Sequence, residues 1–520
     1  MARPPKPTHV PWLLEITLSR LSGRPKPAAG PLTFLVRTTD STIGFVSGVM
    51  KPLDQPFASP DPAAALNLPA RPATAIILAA GKSERIGAAT QGTSKARLRV
   101  GGLGLLERTL RTIQAAGIEK AVVVVGHDAD RVGRLATTAM PGRVEVVHAE
   151  GWEAGNGDSL AAAEYAVQDE QLCLLLMADH LFGADAIEQL LCVRAPAALV
   201  DPRPSPEVLD EGTRVVVADS CAVAFGKGLE SATVDCGAFL VPREIFDCQR
   251  AAAAEGDHTV AGALTRLAAQ RPVLAVGLAS DSWWVDIDTP ADLARARSRL
   301  RRSLIKPGDG PISRLLNRQL SSRISMALAP LGIAPDLVTV FVFLIALLAA
   351  VGLGTGHGIL GGLLAQVSSV LDGVDGELAR LQFRTSSRGA VLDAVLDRVV
   401  DAAILIGLAV WAQSDHLPTW VLLVLTGTAV AGSFLSMALK DRVAALGLPP
   451  FPERTFGWLL GGRDGRLLLI AVCAILGQPA LALMAVTATS WLAAGARLCF
   501  VWRQPSDRSE TNSAVRSSQP

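Results

Sequence analysis

Between residues 336 and 500 the chain sets apolar runs long enough to cross a bilayer against a compact group of charges. These are Asp372, Asp375, Asp393 and Asp397, with Arg380 between the two pairs. An ionised side chain at the centre of a bilayer costs about 3 kcal/mol or more. A chain carrying four carboxylates there has to gather them inside a helical bundle, where they can be neutralised. Six runs set the frame, at about 336–355, 358–376, 391–412, 419–438, 465–478 and 479–500. They predict an all-α six-helix transmembrane domain over 331–503, in contact with the lipid bilayer.

On a helix, spacings of three or four residues put side chains on one face. Asp372 and Asp375 therefore share a face at the end of the second run, and Asp393 and Asp397 share one at the start of the third. A short basic loop joins them, so the pairs converge. Four converging carboxylates repel one another unless cations neutralise them. Hard oxygen donors without Cys or His point to Mg²⁺, with Mn²⁺ as the alternative.

Loop charge orients the bundle. The connector before the first run is basic, as are the second loop (Arg380, Arg384, Arg388) and the fourth (Lys440, Arg442, Arg454, Arg463, Arg466). Gln413–Pro418 carries neither Lys nor Arg. The positive-inside rule places the connector, everything upstream of it and the C-terminus in the cytoplasm of a multi-pass cell-membrane protein. Within the connector (299–330), Ile312, Leu315, Leu316 and Leu320 share one side of an amphipathic, interfacial helix. Arg314 and Arg318 on that helix have two open roles, anchoring it or binding a phosphate.

Upstream, over 74–298, the texture is that of a soluble domain. Ala75–Ala80 is a short apolar run breaking into Gly81-Lys-Ser-Glu-Arg-Ile-Gly87, a buried strand followed by a glycine loop of the kind that cradles phosphate. A helix around 105–116 and further strands at 121–125, 144–147 and 172–177 follow, the last ending in Ala178-Asp179-His180. This alternation predicts an α/β doubly wound, parallel sheet, with ligands at the carboxyl ends of its strands. Gly81, Asp179 and the glycine-rich Gly155–Ser159 fall at such ends or in connecting loops. His127 and His148 read as loop residues, and His180 as either structural or substrate-facing.

Residues 1–73, rich in Pro and Ala, and the polar tail 504–520 hold no sustained apolar segment and are expected to be disordered. The seven cysteines are scattered without metal-binding spacing and read as reduced. A net charge of +1 gives no bulk attraction to nucleic acid.

Leu78-Ala-Ala-Gly81, Arg85, Lys95, Gly155-Asn-Gly157, Asp179 and Trp284-Val-Asp-Ile-Asp-Thr-Pro290 together resemble the sugar-phosphate nucleotidyltransferases. Leu-Met-Ala-Asp179-His180, together with Gly155-Asn-Gly157 and Trp283-Trp-x-Asp-Ile-Asp-Thr-Pro290, narrows this resemblance to the inositol-1-phosphate cytidylyltransferases. The resemblance implies that Gly81 and Arg85 hold a triphosphate, CTP, and that Lys95 neutralises phosphate charge during attack by inositol 1-phosphate. It implies that Asn156 and Gly157 bind the nucleotide, and that Asp179 and Asp286 hold Mg²⁺, with Asp288 as the alternative to Asp286. Two positions depart from the family pattern: Ser94 replaces a proline before the lysine, and Ser83 stands where the phosphate loop has a second glycine.

The spacing from Asp372 to Asp397, with Gly376, Ala379, Arg380 and Gly389 between, matches the CDP-alcohol phosphotransferases. That resemblance implies two divalent metals on Asp372, Asp375, Asp393 and Asp397. It also implies contacts from Gly376, Arg380 and Ser386 to a CDP-alcohol, and Asp397 as the base on the acceptor hydroxyl. Bundles of this family are often homodimers. The fusion resembles bifunctional enzymes whose first half makes CDP-inositol and whose second half transfers its inositol-phosphate moiety to another inositol 1-phosphate, releasing CMP. Two alternatives stay open: a membrane-lipid acceptor, as in phospholipid biosynthesis, and a soluble half that is an inactive sensor or scaffold.

Overall fold

The computed structural model describes residues 71–82, 86, 94–306, 308–453 and 457–503. Arg85, the tail 504–520 and all but the last three residues of the 1–73 extension lie outside the described residues.

Aliphatic runs form four strands, of which the three central ones are buried along most of their length and the edge strand Val144–His148 is partly exposed. They are β1 (Thr74–Ala79), β2 (Lys120–Val125), β3 (Val144–His148) and β4 (Leu172–Met177). They pair in parallel in the order β3-β2-β1-β4. The sheet continues through β5 (Ala197–Asp201), β6 (Arg214–Ala218), β7 (Cys221–Gly226), β8 (Val234–Pro242) and β9 (Leu274–Gly277). In space these follow β4 in the order β8-β5-β9-β7-β6. Strand β8 runs antiparallel to both β4 and β5, so the sheet is mixed where the sequence predicts a parallel one. Between β5 and β8 lie only a six-residue helix and the β6–β7 hairpin.

Successive strand residues face opposite ways. Ile77, Val123 and Leu174 pack under Leu106, Leu110 and Ile113 of α1 (Leu105–Ala115). Ile76, Val122 and Leu175 pack on the other face with Leu160 of α2 (Asn156–Ala162), Ile245 and Leu264. Gly155–Ser159 is therefore not a loop, because from Asn156 it is the first turn of α2. Helix α3 (Pro290–Ser303) starts at a reciprocal cap, in which Thr289 Oγ1 accepts from the Asp292 amide and the Asp292 carboxylate accepts from the Thr289 amide.

The connector contributes α4 (Arg318–Leu328), preceded by a wide turn at Ser313–Asn317. Leu315, Leu316 and Leu320 are exposed there, leaving an apolar face uncovered. Among the described residues six helices of 13 residues or more follow: α5 (Pro335–Gly354), α6 (Gly358–Leu381), α7 (Ser387–Trp411), α8 (Thr419–Ala445), α9 (Arg463–Ile475) and α10 (Pro479–Trp502). Among the described residues, α5, α8 and α10 are long and apolar enough to cross a membrane. Helices α6 and α7 carry the charged pairs at one end, and α9 has only 13 residues. Leu337, Phe341, Leu344, Leu348 and Val351 form an exposed apolar stripe along α5, the kind of surface that asks for lipid or a partner.

The two halves share a core. Leu98, Val100, Val285 and Ile287 pack with Leu293 and Leu300 of α3 and with Val374, Leu378 and Leu381 of α6. Arg108 on α1, 3% exposed, crosses this junction. Its Nη2 donates to the carbonyls of Val100 (2.9 Å), Gly101 (3.1 Å) and Leu381 (3.1 Å). Its guanidinium lies 5.6 Å from the centre of the Phe383 ring. The turn presenting those carbonyls needs Gly102 at φ +90°, where a Cβ would come within 2.6 Å of the Ala329 carbonyl oxygen. Replacing Arg108 by Met leaves three buried carbonyls without that donor, at a cost of about 3 kcal/mol. The thermal midpoint of the detergent-solubilised full chain should fall by several degrees, and an unchanged midpoint would contradict this role.

Candidate active sites

The first site forms where β1 and β4 end side by side. Gly81 follows β1 and Asp179 follows β4. Lys95 opens a short turn whose first amide groups are capped by Ser94, Oγ accepting from the Ala96 amide at 3.3 Å. Ser94 thus does in this loop what its hydroxyl suits it for, whatever residue a relative has there. Lys95 Nζ donates to Asp179 Oδ2 at 3.0 Å and pairs with Asp288. Gly81, Lys82, Lys95, Asp179 and Asp288 line one cavity of about 350 Å³.

Asp286 comes in from the side. The short strands 180–182 and 284–286 pair antiparallel, placing Asp286 opposite His180. His180 Nδ1 lies 3.0 Å from Asp179 Oδ1 and 3.8 Å from Asp286 Oδ1, and its ring stacks on Trp284 at 5.6 Å. Gly237, at φ +72°, lets β8 press against that imidazole, where a Cβ would come within 2.6 Å of the ring. Burial works against charge on His180, but Asp286 and then Asp179 outweigh it and raise the imidazole to about 9. Burial pushes Asp286 up to about 6, with Asp179 adding to it and His180 opposing. Asp179 also resists burial, because His180 and then Lys95 hold its carboxyl below the usual carboxylate range. Lys95 is likewise held above the usual lysine range: burial opposes its charge, and Asp179 and Asp288 overcome that.

Asp286 Oδ1 is buried without a hydrogen-bond partner among the described residues. Oxygens of Asp179 and Asp286 stand within 4.8 Å of each other and of His180. Two carboxylates with one orphaned oxygen fit a hard divalent cation. The pair left open in the sequence separates here: Asp286 sits in this group, while Asp288 pairs with Lys95.

Asn156 and Gly157 do not join Gly81 and Lys95. Asn156 Oδ1 accepts from the Val260 amide at 2.9 Å and borders a second cavity of about 430 Å³ with Lys227, Asp235 and Thr259. Gly157 packs against the Gln249 side chain with no room for a Cβ.

The second site lies in the helical half. Asp372 of α6 and Asp393 and Asp397 of α7 bring carboxylate oxygens within 4.8 Å of one another. Asp375 borders the same cluster, but its Oδ2 accepts from Thr339 Oγ1 of α5 at 2.5 Å. Gly376, Arg380 and Ser386 line an adjoining cleft with Asp375 and Asp393. Ser386 caps α7, its Oγ accepting from the Gly389 amide at 3.0 Å. Arg380 Nη2 donates to the Leu304 carbonyl at 3.2 Å, and its Nε is buried without a partner among the described residues. All-carboxylate donors again fit hard divalent cations.

Sequence reasoning missed the cation already present. Arg463 pairs with Asp372, with Asp397 at 2.9 Å and with Asp401 at 3.3 Å, and Arg466 binds Asp401 at 2.7 Å. Counted as loop charges, Arg463 and Arg466 in fact open α9 and are buried or nearly so. One signal was available: Asp401 extends the Asp393, Asp397 row by another four residues. Arg318, given two open roles, is tied to Asp309 (3.2 Å) and to fully buried Glu377 (3.2 Å). Glu377 also accepts from Ser321 (2.7 Å) and Ser325 (2.6 Å). Arg318 therefore anchors α4 to α6.

Residues 75–208 match the MobA-like NTP transferase domain, and residues 332–493 match the CDP-alcohol phosphatidyltransferase family. The chain is 38% identical over 422 residues to a bifunctional IPC transferase and DIPP synthase of Rubrobacter xylanophilus, covering 80% of this chain and 93% of that one. It is 34% identical over 412 residues to the protein of that name from Aquifex aeolicus, covering 78% and 92%. The inositol-1-phosphate CTP transferase structure from T. maritima is 21% identical at a TM-score of 0.40, covering 44% of this chain and 96% of that one. With an acidic, lysine-bearing site in a nucleotidyltransferase-like half and a carboxylate cluster in a CDP-alcohol phosphotransferase half, the chain is an enzyme that belongs to the family of bifunctional IPC transferases and DIPP synthases.

Proposed function

We propose that the chain makes CDP-inositol at the first site and consumes it at the second. The observation carrying this reading is the presence of both acidic sites in one chain whose relatives share that two-part organisation over most of their length.

In the first reaction a phosphate oxygen of inositol 1-phosphate attacks the α-phosphorus of CTP. The new P–O bond gives CDP-inositol, and pyrophosphate leaves. Two anions must approach, so Lys95, with Gly81 and Arg85, offsets their repulsion. Lys95 is fit for this because Asp179 and Asp288 hold its ammonium charged and aimed into the cavity. Asp179 and Asp286 are the residues that would hold Mg²⁺, which when bound supplies charge neutralisation at the phosphates. His180 keeps the two carboxylates in place.

In the second reaction a hydroxyl of another inositol 1-phosphate attacks the inositol-bearing phosphorus of CDP-inositol. Asp397 takes the hydroxyl proton, and CMP leaves with the α-phosphate. Asp372, Asp375, Asp393 and Asp397 would hold two divalent ions, Mg²⁺ or Mn²⁺, which when bound stabilise charge on the leaving CMP. Gly376, Arg380 and Ser386 bind the CDP-alcohol. Arg463 offsets charge on Asp372 and Asp397 and pairs with Asp401 as well. All six helices α5–α10 cross the membrane in this reading, with the basic connector and both sites at the cytoplasmic face. A homodimer is the proposed assembly.

Lys95→Ala should slow CTP-dependent pyrophosphate release about 100-fold, and unchanged release would remove the first site from the proposal. Asp397→Asn should abolish CMP release from CDP-inositol while pyrophosphate release persists. Loss of both activities, or of neither, would contradict the division of labour. Chelating divalent cations should stop both reactions, and added Mg²⁺ should restore them; activity that survives chelation would overturn the metal assignments.

A further inference from the structure

The connector belongs to neither family match, since one ends at residue 208 and the other begins at 332. It nevertheless enters the second site. We infer that Lys306, on this connector, is a binding residue for the diphosphate of the CDP-alcohol. The inference rests on the reading of that cleft as the CDP-alcohol site.

The cleft holds about 230 Å³, and its walls are chemically unequal. Lys306, Arg380 and Arg384 contribute three cations, and Asp375, Asp393 and Asp336 three carboxylates. A ligand that is a diphosphate on the cationic side, next to carboxylates of the metal-binding type, suits such a cleft. A simple ion-pair network does not account for the cations. Arg380 spends one nitrogen on the Leu304 carbonyl and leaves Nε buried and unpaired among the described residues.

Lys306 is set in place by its backbone. Its amide donates to Asp309 Oδ2 at 2.9 Å, and its carbonyl accepts from Arg314 Nη2 at 3.2 Å. Asp309, the nearest carboxylate in sequence, is committed to that amide and to Arg318. Among the described residues the Lys306 ammonium makes no ion pair. Partial burial lowers its pKa, Arg380 adds to this and Asp309 opposes it. A cation kept beside another cation at an open cleft is stabilised when an anion arrives. The same two connector positions thus act on the site in different ways: Leu304 orients Arg380 through its carbonyl, and Lys306 touches the ligand.

The test is steady-state CMP release by the full chain in detergent with Mg²⁺, supplied with CDP-inositol and inositol 1-phosphate. Lys306→Gln should raise KM for CDP-inositol roughly ten-fold or more, with kcat within two-fold. Lys306→Arg should recover most of the loss. Pyrophosphate release from CTP at the other site should be unchanged, which reports that the variant is folded. An unchanged KM, or a fall in kcat alone, overturns the assignment of Lys306 while leaving the site's function standing. If the unsubstituted chain releases no CMP from CDP-inositol, the reading of the site falls, and the role of Lys306 falls with it.

Discussion

Negative charge has to be neutralised inside a helical bundle, and the arrangement of the second half follows from that requirement. Asp372, Asp393 and Asp397 bring their oxygens within 4.8 Å of one another, a grouping that water would screen and a bundle interior does not. The protein meets part of the demand itself through Arg463, backed by the Asp401–Arg466 pair. One guanidinium cannot balance three or four carboxylates. The residual negative charge on hard oxygen donors is of the kind that suits divalent cations. Thr339 withdraws Asp375 from the cluster toward the adjoining cleft, where it faces the same space as Arg380.

A second constraint is mechanical. Helix α6 carries Asp372, Asp375 and Arg380, and it is fixed from outside the bundle at both faces of its last turns. Arg318 and the serines of α4 hold fully buried Glu377, while Arg108 of the soluble half holds the Leu381 carbonyl. Gly373 is part of this device, because a Cβ there would occupy the place of the Arg318 guanidinium. The carboxylates are thereby held by elements that belong to the junction of the two halves.

How far the sequence discloses this depends on whether a feature is local. The pairs Asp372/Asp375 and Asp393/Asp397 were legible because helical spacing and the cost of buried charge leave little freedom. Strands β1 to β4 were legible as short aliphatic runs. The direction of β8 was not, since it depends on pairing across the sheet and not on the residues of β8 themselves. Gly155–Ser159 read as a loop because glycines suggest one, whereas Gly155 has φ 168°, an ordinary extended value, and the helix begins at the next residue. Arg463 was hidden for a different reason. An arginine beside an apolar run looks like an anchor at the membrane surface, and only the approach of α9 to α6 and α7 shows that it points inward. His180 stood in the sequence beside Asp179, but its contact with Asp286 needed the pairing of 180–182 with 284–286.

If the two sites act in series, the phosphate joining the two alcohols comes from inositol 1-phosphate and not from the nucleotide. Tracing phosphorus tests it most directly. Membranes containing the full chain would be supplied with CTP labelled at its α-phosphate, or in parallel with ³²P-labelled inositol 1-phosphate. Nucleotide label should end in CMP, and inositol-phosphate label should end in a water-soluble product. Nucleotide label retained in the final product, or inositol-phosphate label extracted into organic solvent, would contradict it.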